Sequence, residues 1–273
     1  MKNKQPLVSV TIPTYNSEKY LNKTLWHVYS QGYKNIEIII IDSYSEDKTL
    51  EIAKKYEAKI VMCKGGLLES RIAGAKASKG DYILLLDSDQ ILENTAIERA
   101  VNQMRVYDYL WFYERSYNKD KSLPSFYDAD RILTQDNLKE GVVLPRFFEK
   151  KLLLKAMKNI PKEHISICGA QDHIVISHEV EKLSKAMGMV EMAVWHMEPD
   201  SLRKLFKKQY RWGKTTRDFY DSGIYRELIT KKNKFRKFYF NHPILSTKSF
   251  VLRILRGIPY FTGFYMGRVN EKA

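Results

Sequence analysis

The first ninety residues alternate between short apolar runs and helical stretches, and this limits the fold more than any other feature of the chain. Residues 7–12 (LVSVTI) and 36–41 (IEIIII) read as strands, the second apolar enough to be buried on both faces. Residues 17–31 between them read as a helix with Ser17 as its cap. A second helical stretch covers 47–57, a short strand 58–62 and a third helix 68–78. Gly80 then leads into the strand Tyr82–Leu86. Repeated strand–helix–strand units predict right-handed crossovers and a mostly parallel α/β sheet.

The pattern loosens downstream. Residues 93–105, 149–158 and 172–187 read as helices and 189–195 as a strand. Residues 107–147 mix aromatics, prolines and charges and read as strands and loops. From Ser201, Leu202, Leu205, Phe206, Tyr210 and Phe219 fall on one helical side. No internal repeat or low-complexity segment interrupts the chain.

Asp87-Ser88-Asp89 ends the strand YILLL. Continued extended geometry would send both carboxylates to one face. The carboxyl end of a strand in an open α/β sheet is where ligands bind. Paired carboxylates there suit a hard divalent cation that also holds phosphate oxygens. Alone, the same three residues also fit an ordinary turn.

Charge is unevenly distributed. Residues 201–273 hold 18 Lys/Arg against 4 Asp/Glu, so the last quarter carries the whole formal excess of +14. Such a field suits a polyanion: phospholipid headgroups, a phosphorylated substrate or nucleic acid. Within it, KKNKFRKFYF (231–240) and KSFVLRILRGIPYFTGFYMGR (248–268) interleave basic, aromatic and aliphatic residues, the pattern of an interfacial segment. Each Lys or Arg near an anionic leaflet contributes on the order of 1 kcal/mol. Packing of Phe250–Tyr265 on the rest of the protein as a helical pair is the competing expectation. Phe250–Met266 is broken by Arg253, Arg256 and Pro259, so no bilayer-spanning helix is expected. MKNKQPLVSV lacks the apolar core of a secretory leader. Cys63 and Cys168 have no zinc-spaced companions and suit a reducing compartment.

The blocks VSVTIPTYN (8–16), IIIIDSYSEDKT (38–49) and ESRIAGAKASKGDYILLLDSD (69–89), in this order and at these separations, resemble the family-2 glycosyltransferases of the nucleotide-sugar-binding GT-A fold. The resemblance covers roughly the first 95 residues closely and weakens towards residue 215. It implies a mixed, mostly parallel sheet with helices on both faces and a basic helical C-terminal extension. It divides the chain into a catalytic domain at 1–220, with a nucleotide-binding half at 1–95 and an acceptor half at 96–220, and an extension at 221–273.

The implied activity is inverting transfer of a sugar from a UDP- or GDP-sugar to an acceptor hydroxyl, with Mn²⁺ or Mg²⁺. Pro13 and Tyr15 match the place of the nucleotide base, and a tyrosine ring can stack on it. Asp42 matches a residue that hydrogen-bonds the base, although an acid there also serves as a local cap. Arg71 matches an arginine near base and phosphates, or is a surface helix arginine. Asp87 would touch the ribose, with Ser88 beside it, and Asp89 would ligate the metal. Relatives often carry paired acids where this chain has Asp42-Ser43, and Asn where it has Ile72.

The general base is expected at Asp172 in GAQDH (169–173), where Gln171 replaces a usual acid; an acid opening a helix is also an ordinary cap. His196 is a candidate further metal ligand or a satisfied structural histidine, and His173 is expected to point elsewhere. Gln209-Tyr210-Arg211-Trp212 is one residue short of the Q-x-x-R-W segment of processive synthases. Arg211 or Lys214 there could neutralise the leaving diphosphate, or the segment is a basic amphipathic helix with Trp212 buried.

The expected partners are a nucleotide sugar, a lipid-linked or glycan acceptor and an anionic membrane surface. The protein is placed in the cytoplasm, peripheral to the inner face of the cell membrane. A polyprenyl-phosphate sugar synthase with a lipid phosphate acceptor is the nearest alternative. Nucleic-acid or lipid binding without catalysis is a second, and it leaves Asp42, Asp87, Asp89 and Asp172 unexplained. Nucleic acid is not expected as a partner.

Overall fold

The computed structural model describes residues 5–136, 144–232 and 238–267. Part of the basic run 231–240, and Arg268, lie outside the described residues. In chain order the elements are β1 (Val8–Thr14), α1 (Glu18–Tyr29), β2 (Ile36–Asp42), α2 (Thr49–Lys55), β3 (Lys59–Met62), α3 (Leu67–Ala77), β4 (Tyr82–Leu85), β5 (Gln90–Leu92), α4 (Ala96–Gln103), β6 (Tyr109–Ser116) and α5 (Ser122–Asp136). They continue with β7 (Pro145–Glu149), α6 (Lys150–Lys158), α7 (Lys162–Ile165), a 3₁₀ turn at Gly169–Gln171, α8 (Asp172–Leu183), β8 (Met187–His196), α9 (Leu202–Asp221), α10 (Arg226–Lys232) and α11 (Pro243–Met266). Two compact units result. The first takes the described parts of Met1–Glu114, Leu144–Ser166 and His173–His196; the second takes those of Arg115–Val143, Ile167–Asp172 and Met197–Ala273.

The first unit is built on a mixed sheet of order β3-β2-β1-β4-β7-β6-β8-β5. β1 runs parallel to β2 and β4, and β2 parallel to β3, as the alternation predicts. β7 turns antiparallel against β4 and β6, and β5 against β8. Strand periodicity sorts the core. Val8, Val10, Ile12, Ile40, Leu84 and Leu86 cluster with Leu21, Leu25 and Val28 of α1 and with Ala96, Ile97 and Ala100 of α4. The opposite face receives α3. A Cβ on Gly74 would lie 2.8 Å from Ile41 Cδ1 and 3.1 Å from Thr11 Cβ, so only glycine lets that helix lie so close to the sheet. Helices therefore cover both faces, as the resemblance implied.

Two local expectations are corrected in this unit. Ser17 precedes α1 but makes no side-chain cap bond to it. Asp47 accepts the Glu18 N–H at 3.0 Å instead, along with the Thr49 N–H at 2.9 Å. His173, expected to point away, faces two arginines in the site described below.

In the second unit, the stretch read as strands and loops contains the fifteen-residue helix α5. Pro124 concealed it; in the first turn its missing N–H has no helical acceptor to lose. Leu123 and Tyr127 of α5 pack with Leu205 of α9 and Leu252 of α11. α11 runs as one helix through Pro259 rather than as a pair. The side of α9 marked in the sequence divides: Leu205 and Phe219 are buried, whereas Leu202, Phe206 and Tyr210 are exposed. Trp212 is half-buried, with the Lys208 ammonium 4.9 Å from its ring centroid.

Small residues let α9 and α11 touch through their backbones. A Cβ on Gly213 would sit 1.9 Å from the Tyr260 carbonyl oxygen, and one on Gly263 2.1 Å from that of Tyr210. Backbone cannot swing aside as a side chain tip does. Gly263→Ala should therefore lower stability by about 2–3 kcal/mol. Gly257→Ala, whose added methyl meets only Phe261 ring atoms at 3.9 Å, should be neutral or slightly stabilising. Equal melting temperatures for the two variants would contradict this packing.

Asp128 anchors the same unit. Its carboxylate accepts from Arg115 Nε at 2.8 Å, Arg115 Nη2 at 2.6 Å and the Ser116 N–H at 2.9 Å. Burial alone would raise its carboxyl, but these donors and the Arg115 charge hold it below the usual range. A depressed folded value means the stabilisation is complete above about pH 4 and is lost as pH falls through the folded value. Asp128→Asn should thus cost about 2–3 kcal/mol at neutral pH. The gap to the parent, read by denaturant titration, should close in acid. A gap unchanged at low pH would assign the effect to packing instead.

Candidate active site

The site grows from the tip of β4. The turn that follows is fixed at each residue. Leu86 N–H donates to the Thr11 carbonyl at 3.1 Å and Asp87 N–H to Gln90 Oε1 at 2.9 Å. The Ser88 carbonyl accepts from Thr24 Oγ1 at 2.8 Å, and Ser88 Oγ lies 3.1 Å from Ser17 Oγ. Ser17 therefore ties the β1 loop to this turn. Antiparallel pairing of β5 with β8 sets Gln90 opposite His196, one residue beyond Asp89. The outcome is convergence: ligand atoms of Asp87, Asp89 and His196 all lie within 4.8 Å of one another. His196 Nε2 stands 3.5 Å from Asp89 Oδ1.

Two carboxylates and an imidazole match the donor preferences of Mn²⁺, and the oxygen pair alone those of Mg²⁺. Gln90, fully buried beside Asp87 and Asp89, has an Nε2 donor with no acceptor among the described residues. The residues present fit a divalent cation with an oxygen-rich ligand.

Asp87 is also held from behind. Arg71 Nη2 donates to its Oδ1 at 2.5 Å and Arg146 Nη1 to its Oδ2 at 3.3 Å. Both arginines are buried, and Arg146 Nε also donates to Glu114 Oε1 at 2.5 Å. Burial would push the Asp87 carboxyl up, but the two guanidinium charges hold it well below the usual carboxylate range. His173 Nε2 lies 2.7 Å from Arg71 Nη2 and 3.4 Å from Arg146 Nη1. Guanidinium groups only donate, so Nε2 accepts and the proton sits on Nδ1.

Sequence reasoning missed Arg146 and Glu114 and dismissed His173. The signal available was Arg146 itself, a cation set among Pro145, Phe147 and Phe148 in the strand PRFFE. Arg71, expected as a residue approaching the nucleotide, is fully enclosed and directed at Asp87.

The tips of β1 and β2 carry the remaining residues expected near the base. Tyr15 is 65% exposed, leaving its ring free to stack, and Pro13 pairs with Ile41 in the sheet. Asp42 is fully buried. Its carboxylate accepts from Thr14 Oγ1 at 2.7 Å, the Ser45 N–H at 2.8 Å and Ser45 Oγ at 2.6 Å. Ser45 Oγ in turn accepts from the Asn16 N–H at 2.9 Å. Asp42 thus shapes the loop that presents Tyr15.

Asp172 and Arg211 belong to the second unit. Asp172 opens α8 and is 2% exposed; Arg211 is exposed on α9. Gln171, standing where relatives carry an acid, donates from Nε2 to Thr216 Oγ1 at 2.9 Å and fastens the 3₁₀ turn to α9. Burial, and then the Asp172 charge, push the nearby Cys168 thiol up, which keeps it an inert neutral group.

Known proteins resemble this chain in sequence and in fold. GlyG, a glycosyltransferase of Streptococcus pneumoniae serotype 4, is 34% identical over 128 residues, covering 44% of this chain and 42% of that protein. The hyaluronan synthase of Pasteurella multocida is 30% identical over 158 residues, 55% of this chain and 15% of that one. The chain thus spans less than half the length of these relatives. Among solved structures, S. aureus TarS 1–349 in complex with UDP-GlcNAc superposes with a TM-score of 0.59 at 16% identity, covering 96% of this chain and 91% of that one. The mannosyltransferase PcManGT from Pyrobaculum calidifontis, in complex with GDP-Man and Mn²⁺, gives 0.56 at 14% identity over 96% and 74% of the two chains. These likenesses show a shared GT-A fold. The family model for glycosyl transferase family 2 matches residues 9–169, more than half the chain and a span that includes Asp42, Arg71, Asp87, Asp89 and Arg146. The chain belongs to glycosyl transferase family 2.

Proposed function

We propose that the chain transfers a sugar, with inversion, from a UDP- or GDP-sugar to an acceptor hydroxyl. The observation that carries this is the convergence of Asp87, Asp89 and His196 at the carboxyl end of β4, backed by two buried arginines. Asp89 and His196 would hold Mn²⁺ or Mg²⁺, with Asp87 completing or flanking the set. When bound, the cation supplies positive charge to the diphosphate and so makes it a better leaving group. Tyr15 and Pro13 would receive the base, and Asp42 would keep their loop in shape. Arg71 and Arg146 fix the Asp87 carboxylate, leaving its remaining lone pairs for the ribose, with Ser88 beside it. Asp172 would take the proton from the acceptor hydroxyl as it attacks the anomeric carbon. Arg211 is the candidate for charge on the departing diphosphate. TarS and PcManGT, solved with UDP-GlcNAc and with GDP-Man and Mn²⁺, support the donor class.

The acceptor in this reading is a lipid-linked or membrane-proximal glycan, and the protein works from the cytoplasm, bound peripherally to the inner face of the membrane. Basic residues concentrated in the second unit support that placement. A thermal-shift panel of nucleotide sugars with and without Mn²⁺ tests the donor side. One donor should raise the melting temperature by several degrees only with the metal, since ligands that bind the native state stabilise it by mass action. No response to any nucleotide sugar would refute the reading.

A further inference from the structure

α11 is amphipathic with its large residues outside. Its buried face is made of Ser246, Ser249, Leu252, Pro259 and Gly263, three of them small enough to bring backbones together. Its outer face carries Ile244, Phe250, Ile254, Ile258, Phe261 and Tyr265, between 49% and 71% exposed. From Phe250 the spacing of four, four, three and four keeps these side chains on one helical side. α9, packed against α11 in the same unit, repeats the theme with exposed Leu202, Phe206 and Tyr210. One position on, Arg203 and Lys207 form a parallel, exposed basic stripe.

We infer that the outward faces of α9 and α11 dock on an anionic lipid surface, both helices lying in the plane of the interface. Charge selects this occupant. α11 contains no Asp or Glu, and α9 contains none before Asp218. A second copy would bring two strongly basic surfaces together, whereas an anionic leaflet neutralises them. Aromatic and aliphatic side chains beside a basic stripe match the headgroup–acyl boundary. No helix among the described residues is long and apolar enough to cross a membrane, which leaves the in-plane arrangement. The inference rests on the proposed membrane-side acceptor for its purpose, but the surface is argued from these helices alone.

Flotation of the full chain with phosphatidylcholine vesicles, with and without phosphatidylglycerol, tests it. The parent should float with the anionic vesicles at low salt, and high salt should release part of it. Ile254→Ser/Ile258→Ser/Phe261→Ser and Arg203→Glu/Lys207→Glu, all at exposed positions, should each reduce the bound fraction about tenfold. Both should keep the nucleotide-sugar thermal shift, which separates failure of the surface from failure of the transfer reading. Any of these results overturns the inference: no flotation of the parent, flotation unchanged by the triple serine variant, or a dimer in solution that the triple variant splits while vesicles are ignored. Salt-sensitive binding to RNA in place of vesicles would overturn it equally.

Discussion

Asp89→Asn should lower sugar transfer by about a thousandfold, because a neutral amide replaces the carboxylate best placed to share a cation with His196. Asp89 lies 3.5 Å from His196 Nε2, and its side chain is 29% exposed, open to ligand as well as to the histidine. Asp87 cannot substitute fully, since both its oxygens already answer buried guanidinium groups. The defect should appear in metal dependence. The variant should need far more Mn²⁺ for half-maximal rate, while its fold stays intact in a melting experiment without metal. Full Mn²⁺-stimulated turnover by Asp89→Asn would remove this residue from the site.

Asp172→Asn should be as damaging to the rate, by about 10³- to 10⁴-fold, yet leave donor binding within about twofold of the parent. A general base acts only on the acceptor proton, so the donor-induced thermal shift should persist where transfer is lost. Asp172 is nearly fully buried at the start of α8. The neighbouring Gln171 is occupied with Thr216 and offers no second base. Transfer retained with a lipid phosphate acceptor but lost with hydroxyl acceptors would shift the assignment to the phosphate-acceptor alternative, because phosphate needs no deprotonation at neutral pH. Unimpaired transfer to a hydroxyl would refute the role outright.

The nucleotide half was legible because its determinants are local. A short, β-branched apolar run such as IEIIII between turn residues reads as a strand, and Asp87 and Asp89 sit two residues apart at a strand tip whatever follows. The rest of the site depends on pairings that sequence distance hides. Arg146 reaches Asp87 only because β7 returns antiparallel beside β4, fifty-nine residues later in the chain. His173 joins them because α8 brings it within 2.7 Å of Arg71, 102 residues away. α5 was missed because Pro124 and a cluster of aromatics resemble a loop until the proline is placed in a first turn. On α9 and α11, periodicity marked an apolar side but could not say which part faced inward. Glycine and serine decided that, by letting the backbones meet and leaving the larger residues outside.

Asp87 and Asp89 at the tip of β4 must gather with His196 of β8 around one cation that holds a diphosphate. Calorimetric titration of UDP and of GDP into the full chain, with Mn²⁺ or with a chelator, measures that directly. One of the two should bind at least about tenfold more tightly with Mn²⁺, corresponding to about 1.4 kcal/mol, and the gain should vanish in Asp89→Asn. Equal affinity with and without the metal, or a metal-dependent gain that survives the substitution, would contradict it.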